Sequence, residues 1–191
     1  MQLQQSDVKS ELRREFRARR DSFIASLNRG EAEIAFSCLP SPLAQLCKPG
    51  KVVAGYIAIG SEADPSKLLA AAVERGCALA LPHVTSKLSP MRFLQWQAGD
   101  PLESGPFGLS QPTADAPQVT PDVVLVPVVA FDANLMRLGQ GAGHYDRALS
   151  VLGNSIAVGI AWSAQQADSL PLDPWDMPLD AVLTERSWIS R

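Results

Sequence analysis

The stretch KVVAGYIAIGSEADPSKLLAAAVERGCALALP, residues 51–82, is the part of this sequence that best defines a fold. Its first segment, KVVAGYIA (51–58), is rich in β-branched residues and is bounded by glycines, which is typical of a buried strand. A helix is predicted next, with Asp64 as its N-cap and Gly76 at its end. The apolar segment CALALP (77–82) predicts a second strand. Strand, helix and strand in this order form a βαβ unit, so the two strands should be parallel.

Further apolar segments continue this alternation towards the C-terminus. DVVLVPVVAF (122–131) is the most apolar of them and should be a central strand, while SIAVGIAW (155–162) and DAVLT (180–184) predict two more. A helix is expected to begin near residue 144. We therefore predict an α/β fold with an open, mostly parallel sheet and helices on both faces. A length of 191 residues fits a single domain that covers residues 1–191.

The remaining segments frame this unit. Residues 6–27 carry apolar side chains at near-helical spacing, which predicts an amphipathic helix capped by Ser6, and its other face is basic. A second helix is predicted at residues 30–39. Residues 83–121 hold one short predicted strand, MRFLQW (91–96), in an otherwise irregular segment. Loops of this length are usually functional or mobile, and whether this one closes over a ligand stays open.

The composition excludes several classes of protein. Seventeen basic against twenty acidic residues give a net charge of −3, so no overall field attracts nucleic acid. No apolar run approaches the roughly 18 residues of a membrane span, and the start has no secretory apolar stretch. Two histidines and three cysteines without C-x-x-C spacing argue against a zinc or histidine-rich metal centre. We therefore expect a cytoplasmic protein without nucleic-acid or membrane partners.

The stretch RLGQGAGHYDR, residues 137–147, follows the most apolar predicted strand and leads into a helix. In α/β sheets, ligands bind at the carboxyl ends of the strands, which is where this stretch should lie. Alternating glycines allow positive φ and leave backbone N–H groups uncovered, so the turn can bind an anion such as phosphate. The pattern is neither a Walker A loop nor G-x-G-x-x-G, because no Gly-Lys-Ser/Thr follows and residue 144 is histidine. A tight turn without any ligand is the alternative.

Polar residues beside the glycines extend this hypothesis. Asp146 is placed either to hold Mg²⁺ against a phosphate or simply to stabilise the first turn of the helix. His144 and Tyr145 suit contact with a ligand ring, although Tyr145 equally suits core packing. In the predicted first helix, the arginines other than Arg13 are interpreted as solvent-exposed: Arg14, Arg17, Arg19 and Arg20.

The stretch RLGQGAGHYDRAL (137–149), preceded by VLVPVVAFD, resembles the signature of the 5-formyltetrahydrofolate cyclo-ligase family. Four more segments resemble that family in the same order along the chain: KSELRR (9–14), YIAIGSEADPSKLL (56–69), PFGLSQP (106–112) and LPLDPWDMPLDAVLTE (170–185). Ordered matches across nearly the whole chain are more specific than one glycine motif.

The resemblance implies an ATP- and Mg²⁺-dependent enzyme that converts 5-formyltetrahydrofolate to 5,10-methenyltetrahydrofolate, releasing ADP and phosphate. The implied chemistry phosphorylates the formyl oxygen before a folate nitrogen closes the ring. Such a reaction needs positioning and charge neutralisation rather than a covalent nucleophile. The implied fold is a three-layer α/β/α arrangement of the NagB/RpiA/CoA-transferase-like type, and we expect a monomer whose partners are ATP and a reduced folate.

The resemblance also implies roles for individual residues. ATP would be bound by Lys9, Arg13, Arg137, Leu138, Gly139, Gln140, Gly141, Ala142, Gly143, His144 and Tyr145. The implied catalytic residues are Arg137, His144 and Tyr145. Folate would be bound by Ile59, Glu62, Asp64, Gly141 and Gly143, with helix capping as the equal alternative for Asp64. Mg²⁺ would be held by Asp146 and Asp176. Candidates for lining the ring pocket are Tyr56, Phe107 and Trp162, and each of these rings also suits a core.

The chain departs from the family pattern at four positions. His144 stands where a tyrosine is usual, Ala142 where glycine or lysine is frequent, Gln111 where glutamate is expected and Trp175 where histidine is frequent. These departures leave two alternatives open. Beside the implied cyclo-ligase reaction, these alternatives are a divergent member acting on another substrate and a nucleotide- or phosphate-binding module without catalysis.

Overall fold

The computed structural model describes residues 2–191, with all of their side chains except those of residues 2–4 and of Phe107. The α-helices of this part of the chain are α1 (Gln2–Ser26), α2 (Arg29–Ile34), α3 (Ser41–Leu46), α4 (Ser66–Glu74) and α5 (His144–Val151). Its strands are β1 (Val52–Ala54), β2 (Ala78–His83), β3 (Arg92–Trp96), β4 (Leu102–Ser104), β5 (Ser110–Pro112), β6 (Val123–Pro127), β7 (Ala130–Phe131), β8 (Arg137–Leu138), β9 (Ile156–Ile160), β10 (Ala181–Leu183) and β11 (Trp188–Ser190). Short 3-10 turns lie at Pro106–Gly108 and Ser163–Gln165.

The main sheet has seven strands in the order β11-β10-β9-β6-β1-β2-β3. Its inner strands β10, β9, β6, β1 and β2 run parallel to one another. The edge strands β3 and β11 are each antiparallel to their neighbour, which is common in otherwise parallel sheets. The prediction of an open, mostly parallel sheet is confirmed.

Each face of the sheet has its own hydrophobic core, because successive residues of a strand point to opposite faces. Val53 of β1 belongs to the first core, together with Leu43 of α3 and Leu68 of α4. The next residue, Ala54, belongs to the second core, together with Ala148 of α5. Helices therefore cover both faces in three layers, as the sequence predicts.

The helices differ from the prediction at their ends. Helix α1 begins before Ser6, so this residue lies inside the helix and does not cap it. The helix predicted at residues 30–39 is interrupted: α2 ends at Ile34, and Phe36 has a φ of 55°, which a right-handed helix excludes. Pro40 then disfavours helical backbone at the residue before it. No helix within residues 2–191 is long and apolar enough to cross a membrane.

The apolar segment DVVLVPVVAF forms two strands rather than one. Strand β6 ends at Pro127, because a proline has no N–H to donate to the sheet. The chain resumes as β7, which pairs with β8 so that Ala130 faces Leu138 and Phe131 faces Arg137. This small hairpin brings Arg137 directly to the start of the glycine-rich stretch.

The segment 83–121 is more regular than the sequence predicts. Strand β3 extends the main sheet beside β2, and β4 and β5 form a separate hairpin. Buried Gln111 ties that hairpin to the sheet, since its Oε1 accepts a hydrogen bond from the Val84 N–H at 3.1 Å. The His83 Nε2 lies 3.3 Å from the Glu103 carboxylate and adds a second link.

The order of the strands creates a crevice in the middle of the sheet. Strand β1 comes first in the chain, β2 adds on one side of it and β6 on the other. The connections that follow β1 and β6 therefore leave the sheet in opposite directions. Ligands of open α/β sheets bind at such a switch point, outside the carboxyl ends of the strands.

Candidate functional site

A cleft of about 910 Å³ lies at this switch point. The segment after β1 contributes Tyr56, Ile59 and Glu62, and the segment that follows β6 contributes every residue from Arg137 to Asp146. The remaining charged lining comes from α1, from the segment after β2 and from the stretch before β10: Lys9, Arg13, Arg17, Arg20, Asp21, Lys87, Asp173 and Asp176. Of the residues predicted to act in catalysis or to bind ATP, folate or Mg²⁺, all except Asp64 line the cleft.

The glycine loop, residues 139–143, presents bare backbone to this cleft. Gly141 and Gly143 have φ values of 103° and 68°, in the left-handed region that favours glycine. Gly143 is also the N-cap of α5, so the loop ends at the positive end of the helix dipole. A Cβ on Gly139 would have no described atom within 4 Å beyond its own chain neighbours. The loop can therefore accept a closely approaching anion, as its sequence predicts.

Helix α1 is fastened to the glycine loop by two arginines. Arg13 donates from Nε to the Gly139 carbonyl at 2.8 Å, and Arg17 donates to the Gln140 side-chain oxygen. The Gln140 Nε2 in turn donates to Glu62 Oε1 at 3.0 Å. This chain of contacts connects α1, the glycine loop and the segment after β1 across the mouth of the cleft.

Lys9 is held between two carboxylates. Its Nζ lies 2.6 Å from Asp173 Oδ2 and 2.6 Å from Asp176 Oδ2. Burial by itself lowers the pKa of Lys9, but the hydrogen bonds and charges of the two aspartates outweigh it, so the pKa is raised above 10.5. Lys9 therefore brings a permanent positive charge to the cleft.

Arg137 and Asp146 form a second buried ion pair in the cleft. The Arg137 side chain is only 3% exposed, and its Nη2 donates to Asp146 Oδ1 at 2.8 Å. The Met177 carbonyl accepts a second bond from Arg137, and the Met177 N–H donates to the same Asp146 oxygen at 3.1 Å. Burial lowers the pKa of Arg137, while the charges of Asp146 and Asp176 act in the opposite direction. The guanidinium fixes the carboxylate at the start of α5.

Asp146 and Asp176 each have an oxygen free of protein hydrogen bonds among the described residues, as do Asp21 and Asp173. Both bonds of Asp146 end on Oδ1, and both Lys9 Nζ and the Asp173 N–H bond Asp176 through its Oδ2. Residues 2–191 contain no group of three or more His, Cys, Asp or Glu that could hold a metal. A pair of carboxylates completed by ligand phosphates and water suits Mg²⁺, so Asp146 and Asp176 fit the predicted ion.

His144 begins α5 at the edge of the glycine loop. Its Nδ1 lies 3.1 Å from Arg147 Nη2, and the same guanidinium donates to the Ala142 and Lys87 carbonyls at 3.0 Å. Burial and the charge of Arg147 lower the pKa of His144 below 6.5, against a smaller opposite effect from the Ser89 backbone. The imidazole is therefore neutral at pH 7.

This lowered pKa predicts how stability depends on pH. Below its ordinary pKa of 6.5, His144 takes up protons more readily in the unfolded chain than in the folded one. The free energy of unfolding should therefore fall as the pH drops from 7 towards 5, and His144→Asn should make this fall shallower. Urea denaturation of both proteins at several pH values measures the two slopes, and equal slopes would contradict the assignment.

The aromatic side chains divide between cleft and core. Tyr56 lines the cleft, but its hydroxyl donates to the Ala63 carbonyl, and burial raises its pKa well above 10. Tyr145 also lines the cleft, and burial together with the charge of Glu62 raises its pKa. Trp162 packs in the first core against Phe23 and Phe36. The side chain of Phe107, the third predicted ring, lies outside the described side chains.

The predicted folate contacts lie on the loop after β1. Glu62 Oε2 accepts a hydrogen bond from the Ile59 N–H at 3.1 Å, which fixes the carboxylate beside the cleft. Asp64 is exposed and Oδ1 accepts from the Ser66 N–H at 2.9 Å. Helix α4 begins at Ser66, and its N-cap is Pro65 rather than the predicted Asp64. Asp64 thus stabilises the turn that enters α4 without being its N-cap, and it does not line the cleft.

Several residues of the site were not singled out from the sequence. Asp173 binds Lys9, and Arg147 links the glycine loop to Lys87. Arg17 and Arg20 were expected in solvent, but both line the cleft, and Arg20 is buried with its Nε donating to Ser61. A signal for the two arginines exists in the sequence: the basic residues at 9, 13, 17 and 20 repeat at helical spacing and share one face of α1.

Comparisons with known proteins agree with this geometry. The model of the 5-formyltetrahydrofolate cyclo-ligase family matches residues 5–185. A 5-formyltetrahydrofolate cyclo-ligase of Mycolicibacterium smegmatis is 32% identical over 189 residues, covering 95% of each chain. One from Haemophilus influenzae is 38% identical over 97 residues, which cover 48% of this chain and 52% of that protein.

The fold is also similar to a solved structure. The NMR structure of Aquifex aeolicus 5,10-methenyltetrahydrofolate synthetase superposes with a TM-score of 0.75 at 30% identity. The superposition covers 96% of this chain and 92% of that one. The segments matched by the family model include the glycine loop, the basic face of α1 and the stretch with Asp173 and Asp176. The chain belongs to the 5-formyltetrahydrofolate cyclo-ligase family.

Proposed function

We propose that this protein converts 5-formyltetrahydrofolate to 5,10-methenyltetrahydrofolate, consuming MgATP and releasing ADP and phosphate. The observation that carries the proposal is the convergence of three features in one cleft. These are the glycine loop, the cations Lys9 and Arg13, and the carboxylate of Glu62. Membership of the cyclo-ligase family supports the same reaction.

The triphosphate of ATP would lie on the glycine loop. The left-handed backbone at Gly141 and Gly143 and the N-terminus of α5 favour an anion there. Lys9 and Arg13 approach from α1 and would neutralise phosphate charge. Lys9 would then exchange part of its contact with Asp173 and Asp176 for a phosphate oxygen.

Mg²⁺ would be held by the oxygens of Asp146 and Asp176 that make no protein hydrogen bond within the described chain. The ion would supply charge neutralisation between the phosphates. Arg137 orients Asp146 through the buried ion pair, so it acts on the ion through this carboxylate. Asp173 orients Lys9 in the same indirect way.

The reaction would proceed in two displacements. The formyl oxygen attacks the terminal phosphorus of ATP, and ADP leaves. The folate N10 then attacks the formyl carbon and loses its proton to solvent, and the bond from that carbon to the phosphorylated oxygen breaks to release phosphate. The protein positions the groups and stabilises charge, as is usual for phosphoryl transfer.

The residues nearest the reacting group would orient it. Tyr145 keeps its phenol protonated because burial raises its pKa, so it can donate a hydrogen bond. His144 is neutral and adds no charge to the loop at pH 7. Ile59 and Glu62 would contact the pterin, where a carboxylate can accept hydrogen bonds from ring N–H groups.

The direct test is near-ultraviolet absorbance, because the methenyl product absorbs there and 5-formyltetrahydrofolate does not. Absorbance that rises only when MgATP is present would support the proposal. Folded protein that binds ATP without this signal would overturn it and favour another substrate on the same scaffold. Protein that ATP stabilises and no folate stabilises would indicate a binding module without catalysis.

Lys9→Ala should raise the KM for ATP by about 10- to 100-fold, because it removes a charged hydrogen-bond donor from the phosphates. Arg14→Ala is the matched control on the same helix, since its side chain is 80% exposed and pairs only with nearby Glu11 among the described residues. The control should change KM less than about twofold. Steady-state kinetics at saturating folate measures both, and an unchanged KM for Lys9→Ala would remove this residue from the nucleotide site.

A further inference from the structure

A smaller pocket of about 330 Å³ opens at the outer end of the cleft, and we call it the outer pocket. It is lined by Ser6, Lys9, Arg13, Gly141, Asp173 and Trp175. All of these except Ser6 also line the main cleft, so the two spaces are continuous. The outer pocket therefore shares Lys9, Arg13 and Gly141 with the proposed phosphate site and adds Ser6 and Trp175 beside it.

Trp175 is the large apolar side chain of this outer pocket, and it is 61% exposed. Tryptophan is usually well buried, so an indole left open beside a cluster of charged residues is unusual. Its flat face and its neighbours Lys9 and Arg13 combine an aromatic surface with a site for anions. Aromatic rings beside basic grooves bind nucleobases by stacking.

The backbone around Trp175 is fixed before any ligand arrives. The Asp176 N–H donates to the Asp173 carbonyl at 3.0 Å, and the Asp173 N–H donates to Asp176 Oδ2 at 2.8 Å. This closed turn is held to α1 through Lys9, which binds both aspartates. A side chain presented from such a turn loses little further freedom on binding.

We propose that Trp175 is the stacking platform for the base of the nucleotide, and that the outer pocket is the base subsite. This inference rests on the proposed function, because it takes the glycine loop, Lys9 and Arg13 as the phosphate site. Phosphates bound there direct the rest of the nucleotide either into the cleft, which the folate needs, or outwards onto Trp175. The open indole favours the outward direction, with Ser6 available as a polar contact on α1.

The test compares ligands with and without a base. Isothermal titration calorimetry measures binding of ATP and of inorganic tripolyphosphate, each with Mg²⁺, to the wild type, Trp175→Ala and Trp175→Phe. Trp175→Ala should weaken ATP binding by about 5- to 100-fold and leave tripolyphosphate binding within about twofold. Trp175→Phe keeps a ring and should retain most of the ATP affinity. Trp175 is exposed, so both variants should fold as the wild type does, and thermal unfolding of each variant checks this.

The outcomes separate the two proposals. A wild type that binds neither ATP nor tripolyphosphate would overturn the proposed function together with this inference. If the wild type binds both ligands, and Trp175→Ala weakens the binding of both equally or of neither, the base subsite alone is overturned and the phosphate site stands. A selective loss of ATP affinity that phenylalanine restores would support stacking on Trp175.

Discussion

Replacing Arg137 by methionine is expected to lower the free energy of unfolding by about 3 kcal/mol. This value is near the lower end of the range of about 3 to 5 kcal/mol for removing one partner of a buried ion pair. The Arg137 side chain is 3% exposed, whereas Asp146 is 23% exposed and can recover some hydration, which places the cost at that end. Methionine has a similar apolar stem, so packing changes little. The loss arises because Asp146 and the Met177 carbonyl each lose a donor.

The same substitution should lower kcat/KM by at least about 100-fold, because Asp146 would no longer be oriented for the proposed ion. Arg186→Met is the matched control: it also removes an arginine from an ion pair, but the Arg186 side chain is 69% exposed. Its partner Glu185 keeps hydrogen bonds from Ser163, so the expected cost is below about 1 kcal/mol. Urea denaturation and steady-state kinetics measure both variants. Equal losses in the free energy of unfolding would show that the Arg137–Asp146 ion pair stabilises the fold no more than the exposed Arg186–Glu185 pair does.

Much of the fold was accessible from local patterns. The βαβ unit was predictable because β1, α4 and β2 each have the composition and ends that their structure needs. The points at which a predicted strand or helix is interrupted were harder to predict, although the proline explains why β6 ends at Pro127. Strand β11 was missed because WIS is too short to show alternation, and it forms only by pairing with β10.

The site was predictable as a set of residues and not as a set of contacts. Lys9 was expected to bind ATP and Asp176 to hold Mg²⁺ from a separate element, and the structure joins the two side chains directly. No local pattern indicates such a pairing, because the two residues are 167 positions apart in the chain. The basic face of α1 was the exception, since helical spacing alone places Arg17 and Arg20 beside Arg13. Charge arrangement along a helix was therefore a stronger signal than the total charge.

The contacts also indicate why the site holds its charges before a nucleotide binds. Lys9 lies between two aspartates and Arg137 binds a third, so both of these buried cations have a carboxylate partner, whereas buried Arg20 donates from Nε to Ser61. Pairing with a carboxylate avoids the cost of an isolated buried charge. At Lys9 and Arg137 it also means that phosphates and a metal would enter by exchanging partners. Preorganised charge of this kind is what phosphoryl transfer requires.

Gly141→Ala is expected to lower kcat/KM by about 100-fold, while Gly99→Ala should leave it unchanged. The two glycines have almost the same φ, 103° and 99°, in the region that L residues rarely adopt. Alanine should therefore cost each position a similar strain of about 1 to 2 kcal/mol. They differ in their surroundings: a Cβ on Gly141 would lie 3.3 Å from Arg13 Cζ, whereas a Cβ on Gly99 would have no described atom beyond its chain neighbours within 4 Å.

This matched pair separates strain from function. At Gly141 the methyl group would push on the Arg13 guanidinium, which holds the Gly139 carbonyl, and would cover backbone that the triphosphate is proposed to approach. Urea denaturation should give similar losses of stability for both variants, and only Gly141→Ala should lose affinity for ATP. If both variants lose activity equally, backbone strain alone explains the effect and the glycine loop is not the phosphate site. If only Gly141→Ala loses it, the requirement at this position is space for a ligand rather than freedom of the backbone.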